Sequence, residues 1–117
     1  MAKLKALLPT LRERKRFVAF EVLSKGKKQP FASVSRAIWH GMLSLNGVKG
    51  AAQAGMLILP EKYNEKRQRG IIRVNHTSVD ALKAGMVMVQ DIENAPAIIR
   101  SVGVSGSLKK ATNYVAG

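Results

Sequence analysis

Gln68-Arg-Gly-Ile-Ile-Arg-Val-Asn-His76 runs directly into Thr77-Ser-Val-Asp-Ala-Leu-Lys-Ala-Gly-Met-Val-Met-Val89, and the hydrophobic period changes at the join. In the first half Ile72 and Val74 fall on one side and Ile71, Arg73 and Asn75 on the other, the alternation of a half-buried strand. In the second half Val79, Leu82, Met86 and Val89 share one face at helical spacing. Thr77, with Asp80 three residues on, has the form of a capping box at the helix start. A basic strand feeding a helix through a very short connection is the unit against which the rest of the chain must pack.

Working outward, residues 17–23 alternate in the same way, with Val18, Phe20 and Val22 opposed to Phe17, Ala19, Glu21 and Leu23. Lys25-Gly-Lys-Lys-Gln-Pro30 is a basic turn. Ser33 is placed to cap a helix reaching about Asn46, with Val34, Ile38, Met42 and Leu45 as its buried stripe and Gly47 as its stop signal. Residues 52–59 read as a second strand closed by Pro60, residues 90–96 as a turn, and residues 97–104 as the last strand. Ser105 or Ser107 then caps a short terminal helix. The order strand, helix, strand, strand, helix, strand predicts an α+β fold of the ferredoxin-like, RRM-like βαββαβ type. Its four-stranded antiparallel sheet carries both long helices on one face. One domain spans 1–117, with a basic arm at 1–15 and a short basic tail at 105–117. Gly41 and Gly85 sit mid-helix, where glycine costs about 1 kcal/mol against alanine, and are predicted to let the helices approach each other or the sheet closely.

Twenty Lys and Arg face seven Asp and Glu among 117 residues, giving a formal charge of +13 and a pI near 10.7. A pI above about 9 is the footprint of a nucleic-acid-binding domain. The cations are spread over termini and loops instead of lying on one amphipathic helix, which favours nucleic acid over an anionic membrane surface. The absence of cysteine excludes disulfides and thiolate metal sites, and two histidines do not make a zinc site. No apolar run approaches the roughly 18 residues of a membrane span, and the first twenty residues lack the apolar centre of a secretory signal. A cytoplasmic protein is expected.

Arg12, Arg14, Lys15 and Arg16 precede the first strand, where exposed cations are well placed for phosphates. Lys109 and Lys110 fall in the first turns of the terminal helix, where the helix dipole disfavours positive charge. A phosphate held among the free amides of that helix start would account for them; so would a frayed basic tail. Arg69, Arg73 and His76 complete the candidate RNA contacts. His76 is read as a capping or phosphate-contacting residue ahead of a general base, and Trp39 as a packing residue. The sheet face away from the helices is expected to display Phe17, Ala19, Glu21 and Leu23 beside Ile71, Arg73 and Asn75, flanked by Ile98, Arg100 and Val102. Glu21 should lie between Arg73 and Arg100.

RNA-recognition motifs stack bases on aromatic side chains of this face. Arg69-Gly70 opens like their third-strand signature, yet Ile71 and Arg73 stand where the aromatics belong. The face therefore reads as a surface for a protein partner, with Phe17, Ala19, Glu21, Ile71 and Arg100 as candidate contacts and RNA held by the basic rim. The seven acids form no motif of two-metal phosphodiester hydrolysis, and there is no Walker lysine loop. Gly47-Val-Lys-Gly50 and Gly103-Val-Ser-Gly106 spell the clamp loop of KH domains without lying between two helices. No catalytic residue and no metal ligand is assigned.

Four stretches resemble one family, the archaeal ribonuclease P protein component 2 group within the ribonuclease P and MRP small subunits. They are Leu8-Pro-Thr-Leu-Arg-Glu-Arg-Lys-Arg-Phe-Val-Ala-Phe-Glu-Val22; Ala37-Ile-Trp39 with Gly50-Ala-Ala-Gln-Ala-Gly-Met56; Gln68 to His76 with Val79-Asp80; and Ile98-Ile-Arg-Ser-Val-Gly-Val-Ser-Gly-Ser-Leu-Lys109. The resemblance implies a non-catalytic subunit of the ribonucleoprotein that removes 5′ leaders from precursor tRNA. It implies that the RNA subunit, using magnesium, performs the hydrolysis and that this chain binds no cofactor. It also implies pairing with protein component 3 in a two-plus-two assembly, and support of the catalytic core of the RNA. Some relatives carry a longer basic tail, so fewer tail contacts are expected here. Two other readings stand beside it: a generic RNA-binding module of the RRM-like class, and a small acylphosphatase-like enzyme, whose glycine-rich phosphate loop is missing.

Overall fold

Two alternating strands and two amphipathic helices dictate a sheet with a core on one side, and the computed structural model, which describes residues 14–116, has that core and a second one behind it. The elements follow as β1 (Lys15–Ser24), α1 (Phe31–Gln53), β2 (Leu57–Ile58), a 3-10 turn (Pro60–Lys62), β3 (Arg69–Asn75), a second 3-10 turn (His76–Ser78), α2 (Val79–Val87), β4 (Asp91–Ile92), β5 (Ala95–Ser105) and α3 (Leu108–Ala116). The sheet has five strands in the order β2-β3-β1-β5-β4, every neighbouring pair antiparallel. The expected count was four. The extra strand comes from the segment read as a turn: Glu93 and Asn94 both take positive φ (50° and 65°), the geometry of a tight hairpin turn. It folds β4 onto the start of β5.

On the inner face Val18, Phe20, Val22, Ile72, Val74 and Ile99 pack against Val34, Ile38 and Met42 of α1 and Leu82 and Met86 of α2. Trp39 is partly buried against this core, as a packing residue should be. The helices cross backbone to backbone. A Cβ on Gly41 would run into the carbonyl oxygen of Gly85, and one on Gly85 would sit 2.7 Å from Met42 Sδ. A side chain at Gly41 would push the helices apart, whereas one at Gly85 first meets the flexible end of Met42.

Three boundaries differ from the sequence reading. α1 begins after Pro30, whose extended backbone makes it the N-cap, so Ser33 lies inside the first turn. Gly47 (φ 73°) breaks α1 where the Asn46-Gly47 signal stands, but a further short helix follows the kink. Its residues are alanine-rich, and alanine is the best helix former; Ala51 is buried. That segment takes up the first half of the expected second strand and leaves only Leu57–Ile58 paired with β3. Leu45, assigned to the buried stripe, is exposed; the packed part of the stripe ends at Met42. At α2 the 3-10 turn delays the helix to Val79, so Ser78 becomes the cap residue and Thr77 and Asp80 form no capping box.

The largest departure lies on the outer face. α3 packs there, with Leu108, Ala111 and Val115 at i, i+3 and i+7 spacing over Ala19, Ile71 and Leu59. Ser107 caps it, its Oγ accepting from the Lys110 N–H at 3.4 Å. A bulge makes room: Ala19 pairs with Gly103 but Phe20 with Ser101, so Val102 is the extra residue. The shift in parity sets Gly103 beneath the Tyr114 ring, where a Cβ would lie 2.6 Å from Cε1.

Candidate nucleic-acid interface

The register decides which charges meet. β1 and β3 pair Glu21 with Arg69 and Phe17 with Arg73, while β1 and β5 pair Glu21 with Arg100. Glu21 therefore lies between Arg69 and Arg100, not between Arg73 and Arg100 as expected; the pairing frame is set four residues away. Arg69 Nε donates to Glu21 Oε2 at 3.1 Å, and Arg100 Nη2 and Nε donate to Oε1 at 2.7 and 3.0 Å. The Arg100 hydrogen bonds above all, against opposing burial and with the Arg69 hydrogen bond and the two guanidinium charges behind them, hold the Glu21 carboxyl below its ordinary value. Arg69 Nη1 also donates to the Tyr114 carbonyl at 2.8 Å, near the end of α3. Its charge is spent inside the fold, clamping β1, β3 and α3 together.

α3 also decides the fate of the proposed partner face. Ala19 and Ile71 are fully buried beneath it, Phe17 is half-buried, and Glu21 retains 14% side-chain exposure. Of the five candidate partner contacts only Arg100 stands fully open, with Leu23 and Ile98 exposed beside it. Base stacking across the sheet is blocked twice, by the absence of aromatics at Ile71 and Arg73 and by the helix itself.

The remaining candidate RNA contacts gather at one end. Ser105 pairs with Phe17, bringing the start of α3 beside the start of β1. Arg16 donates to the Lys15 carbonyl at 3.2 Å, and its guanidinium lies 3.6 Å from where a Gly106 Cβ would be. The His76 backbone N–H donates to the Arg14 carbonyl at 2.7 Å, with its Nδ1 3.2 Å from the same oxygen. Lys15 Nζ donates to Asn75 Oδ1, and Asn75 Nδ2 to the Gln53 carbonyl at 2.9 Å. Arg14, Lys15, Arg73, His76, Lys109 and Lys110 are exposed and Arg16 half-exposed. Arg12 lies outside the described residues. Arg69 lies away from this group, bound to Glu21.

A second basic group escaped the sequence reading because its halves are almost forty residues apart. Lys28 Nζ donates to the Lys66 carbonyl at 2.6 Å, joining the β1–α1 turn to the β2–β3 connection. Next to it two buried glutamines lock together: the Gln29 N–H donates to Gln68 Oε1 at 2.8 Å and Gln68 Nε2 returns a bond to the Gln29 carbonyl at 3.1 Å. Tyr63 donates to that same carbonyl at 2.7 Å. Burial first, then the Glu65 charge, push the Tyr63 phenol up to about 12, so it stays a donor. The run Lys25-Gly-Lys-Lys in an element-joining turn was the available signal.

Among the described residues no group of three or more His, Asp or Glu could hold a metal ion, and no helix is long and apolar enough to cross a membrane. Residues 16–116 match the Rpp14/Pop5 family. The chain is 39% identical over 110 residues to ribonuclease P protein component 2 of Thermococcus gammatolerans, covering 92% of this chain and 88% of that protein. It is 37% identical over 106 residues to the same component of Pyrococcus furiosus, covering 91% and 86%. With the Methanocaldococcus jannaschii component it shares 32% over 108 residues, covering 92% and 77%. A chain in the cryo-EM structure of yeast ribonuclease MRP superposes with a TM-score of 0.65 at 10% identity, over 90% of this chain and 88% of that one, which establishes a shared fold.

Proposed function

We infer a role from one premise: the chain belongs to the Rpp14/Pop5 family. It is a protein subunit of ribonuclease P, the ribonucleoprotein of precursor-tRNA processing. Within that enzyme it acts as a scaffold. Its cations neutralise phosphate repulsion in the folded catalytic core of the RNA, and the RNA, with magnesium, cuts the 5′ leader. It works in the cytoplasm, binds no cofactor of its own, and pairs with protein component 3 in a two-plus-two assembly. Arg14, Lys15, Arg16, Arg73, His76, Lys109 and Lys110 are the phosphate contacts of this reading, with Arg12 in the arm that precedes them. Phe17, Glu21 and Arg100 remain the candidate partner contacts, whereas the burial of Ala19 and Ile71 argues against them. The strand order around β1, with α1 and α2 as crossovers, supports an RRM-like frame to which β4 and α3 are additions.

The observation that carries the scaffold reading is α3 lying across the face that an RNA-recognition motif would use, while exposed cations with no ion pair among the described residues crowd the edge beside it. A module that read single strands by stacking would need that face bare. The test is precursor-tRNA cleavage at low magnesium with the cognate RNA subunit, alone, with this chain, with component 3, and with both. Stimulation that requires both proteins is expected. Cleavage by this chain without RNA would overturn the non-catalytic reading, and no stimulation in any mixture of folded components would overturn the scaffold role.

A further inference from the structure

We propose that Lys25, Lys27, Lys28, Lys66 and Arg67 form a second RNA site, a two-loop cradle for backbone phosphates at the opposite end of the molecule from Arg14–Arg16. The proposal rests on the RNA-scaffold reading and extends it to a surface that reading does not use. All five side chains are exposed. Glu61 and Glu65 lie in the same β2–β3 connection, yet among the described residues the ion pairs are Arg36–Glu93, Arg69–Glu21 and Arg100–Glu21, and none involves the five.

Like charges from two loops are held together here by the fold, not by chance proximity. The reciprocal Gln29–Gln68 bonds are buried, and Gln68 Nε2 also holds the Glu65 carbonyl at 2.8 Å. Asn64 Oδ1 accepts from the Arg67 N–H at 3.2 Å, and Lys28 uses one ammonium proton on the Lys66 carbonyl, leaving two free. Gln68 itself sits at φ 54°, a left-handed conformation that a non-glycine residue adopts only where its surroundings hold it there. Such an arrangement is unfavourable in the free protein and becomes favourable when a polyanion spans the loops. The group is dominated by lysines, which act as point charges toward phosphate, and it has no large apolar anchor of the kind a protein hot spot needs. That composition favours a nucleic-acid backbone over an acidic protein.

β1 separates the two basic ends by its ten residues, about 30 Å at roughly 3.3 Å each. No single phosphate can serve both, so the chain touches RNA at two places.

The test is binding of the full chain to a 20-base-pair RNA hairpin over a potassium chloride series, comparing wild type, K28Q/K66Q/R67Q and R14Q/K15Q/R16Q. Each triple variant should lower the log–log salt slope by about 1 per lost contact. K25Q/K27Q, which removes no side-chain hydrogen bond, should lower it by up to about 2 and guards against misfolding in the first triple. An unchanged slope in both cradle variants, with a reduced slope in R14Q/K15Q/R16Q, would overturn the second site and leave the scaffold reading standing. Wild-type chain that bound the hairpin without salt dependence would overturn both. Loss of poly-glutamate binding with unchanged RNA binding would assign the cradle to an acidic protein and overturn the proposal.

Discussion

Replacing Gly41 by alanine tests the helix crossing that sets the inner core. The new methyl group would enter the Gly85 carbonyl, 3.1 Å from its carbon, with Val89 Cγ2 at 3.5 Å. A main-chain carbonyl in a helix cannot rotate away, so α2 must move as a body. Overpacking of this kind costs about 1–3 kcal/mol. A clash with main chain belongs in the upper part of that range, about 2–3 kcal/mol. Alanine returns about 1 kcal/mol of helix propensity, leaving a net loss of about 1–2 kcal/mol. Gly85→Ala is the informative contrast. Its methyl meets Met42 Sδ at 2.7 Å, the far end of a flexible side chain, and Met42 Cα at 3.3 Å. Methionine can swing aside, so this variant should lie within about 1 kcal/mol of wild type. Urea unfolding followed by circular dichroism reads both at a common slope, and in a domain near 100 residues each kcal/mol moves Tm by about 4–8 °C. Gly41→Ala as stable as wild type, or Gly85→Ala the more damaged of the two, would refute the backbone-contact reasoning.

Two further outcomes are expected. Glu21→Gln leaves half-buried Arg69 without its counter-charge and should cost about 1–2 kcal/mol, discounted because Arg100 is well exposed. Because the folded carboxyl lies below its ordinary 4.5, its contribution is complete above that value and is lost as pH falls through the lower folded value. Urea midpoints from neutral pH down to about 3 should therefore fall less steeply in Glu21→Gln than in wild type; parallel curves would contradict the ion-pair account. Gly103→Ala should lift Tyr114, costing about 1–3 kcal/mol, and hydrogen exchange should show α3 amides losing protection before those of β1 and β3. Unchanged protection in α3 would mean that the ring does not depend on the bare glycine.

The parts of the fold that were legible are those written as local periods. Ile72 and Val74 against Ile71, and Val79, Leu82, Met86 and Val89 at helical spacing, set the faces of β3 and α2 correctly, and two mid-helix glycines located the crossing. What could not be read depends on pairing frames and on competition between neighbours. Nothing local tells Glu21 that its partner is Arg69 and not Arg73, since both have the same parity and only the register differs. The alanines of residues 51–54 suit a helix as well as a strand edge, and Gly55 (φ 61°) ends the helix later than the Asn46-Gly47 signal suggested. The β5 bulge is invisible in the alternation of residues 97–104, yet it brings Gly103 beside Val102 under α3.

The misreading with the widest consequence concerns α3. Its stripe of Leu108, Ala111 and Val115 is modest, and Ala111 and Val115 bury their surface on an apolar floor of Ala19, Ile71 and Leu59. Once that floor is covered, the centre of the outer face is closed and a single carboxylate pairs with both Arg69 and Arg100, leaving one net positive charge between them. The excess positive charge is then carried by the ends, where β1 emerges and where it turns into α1. Phosphate contact at those ends needs no aromatic platform, because backbone recognition is electrostatic and carries no base sequence. On the scaffold reading proposed above, two charged ends about 30 Å apart would bridge separate backbone segments, and the sheet between them, packed on both faces, fixes their distance.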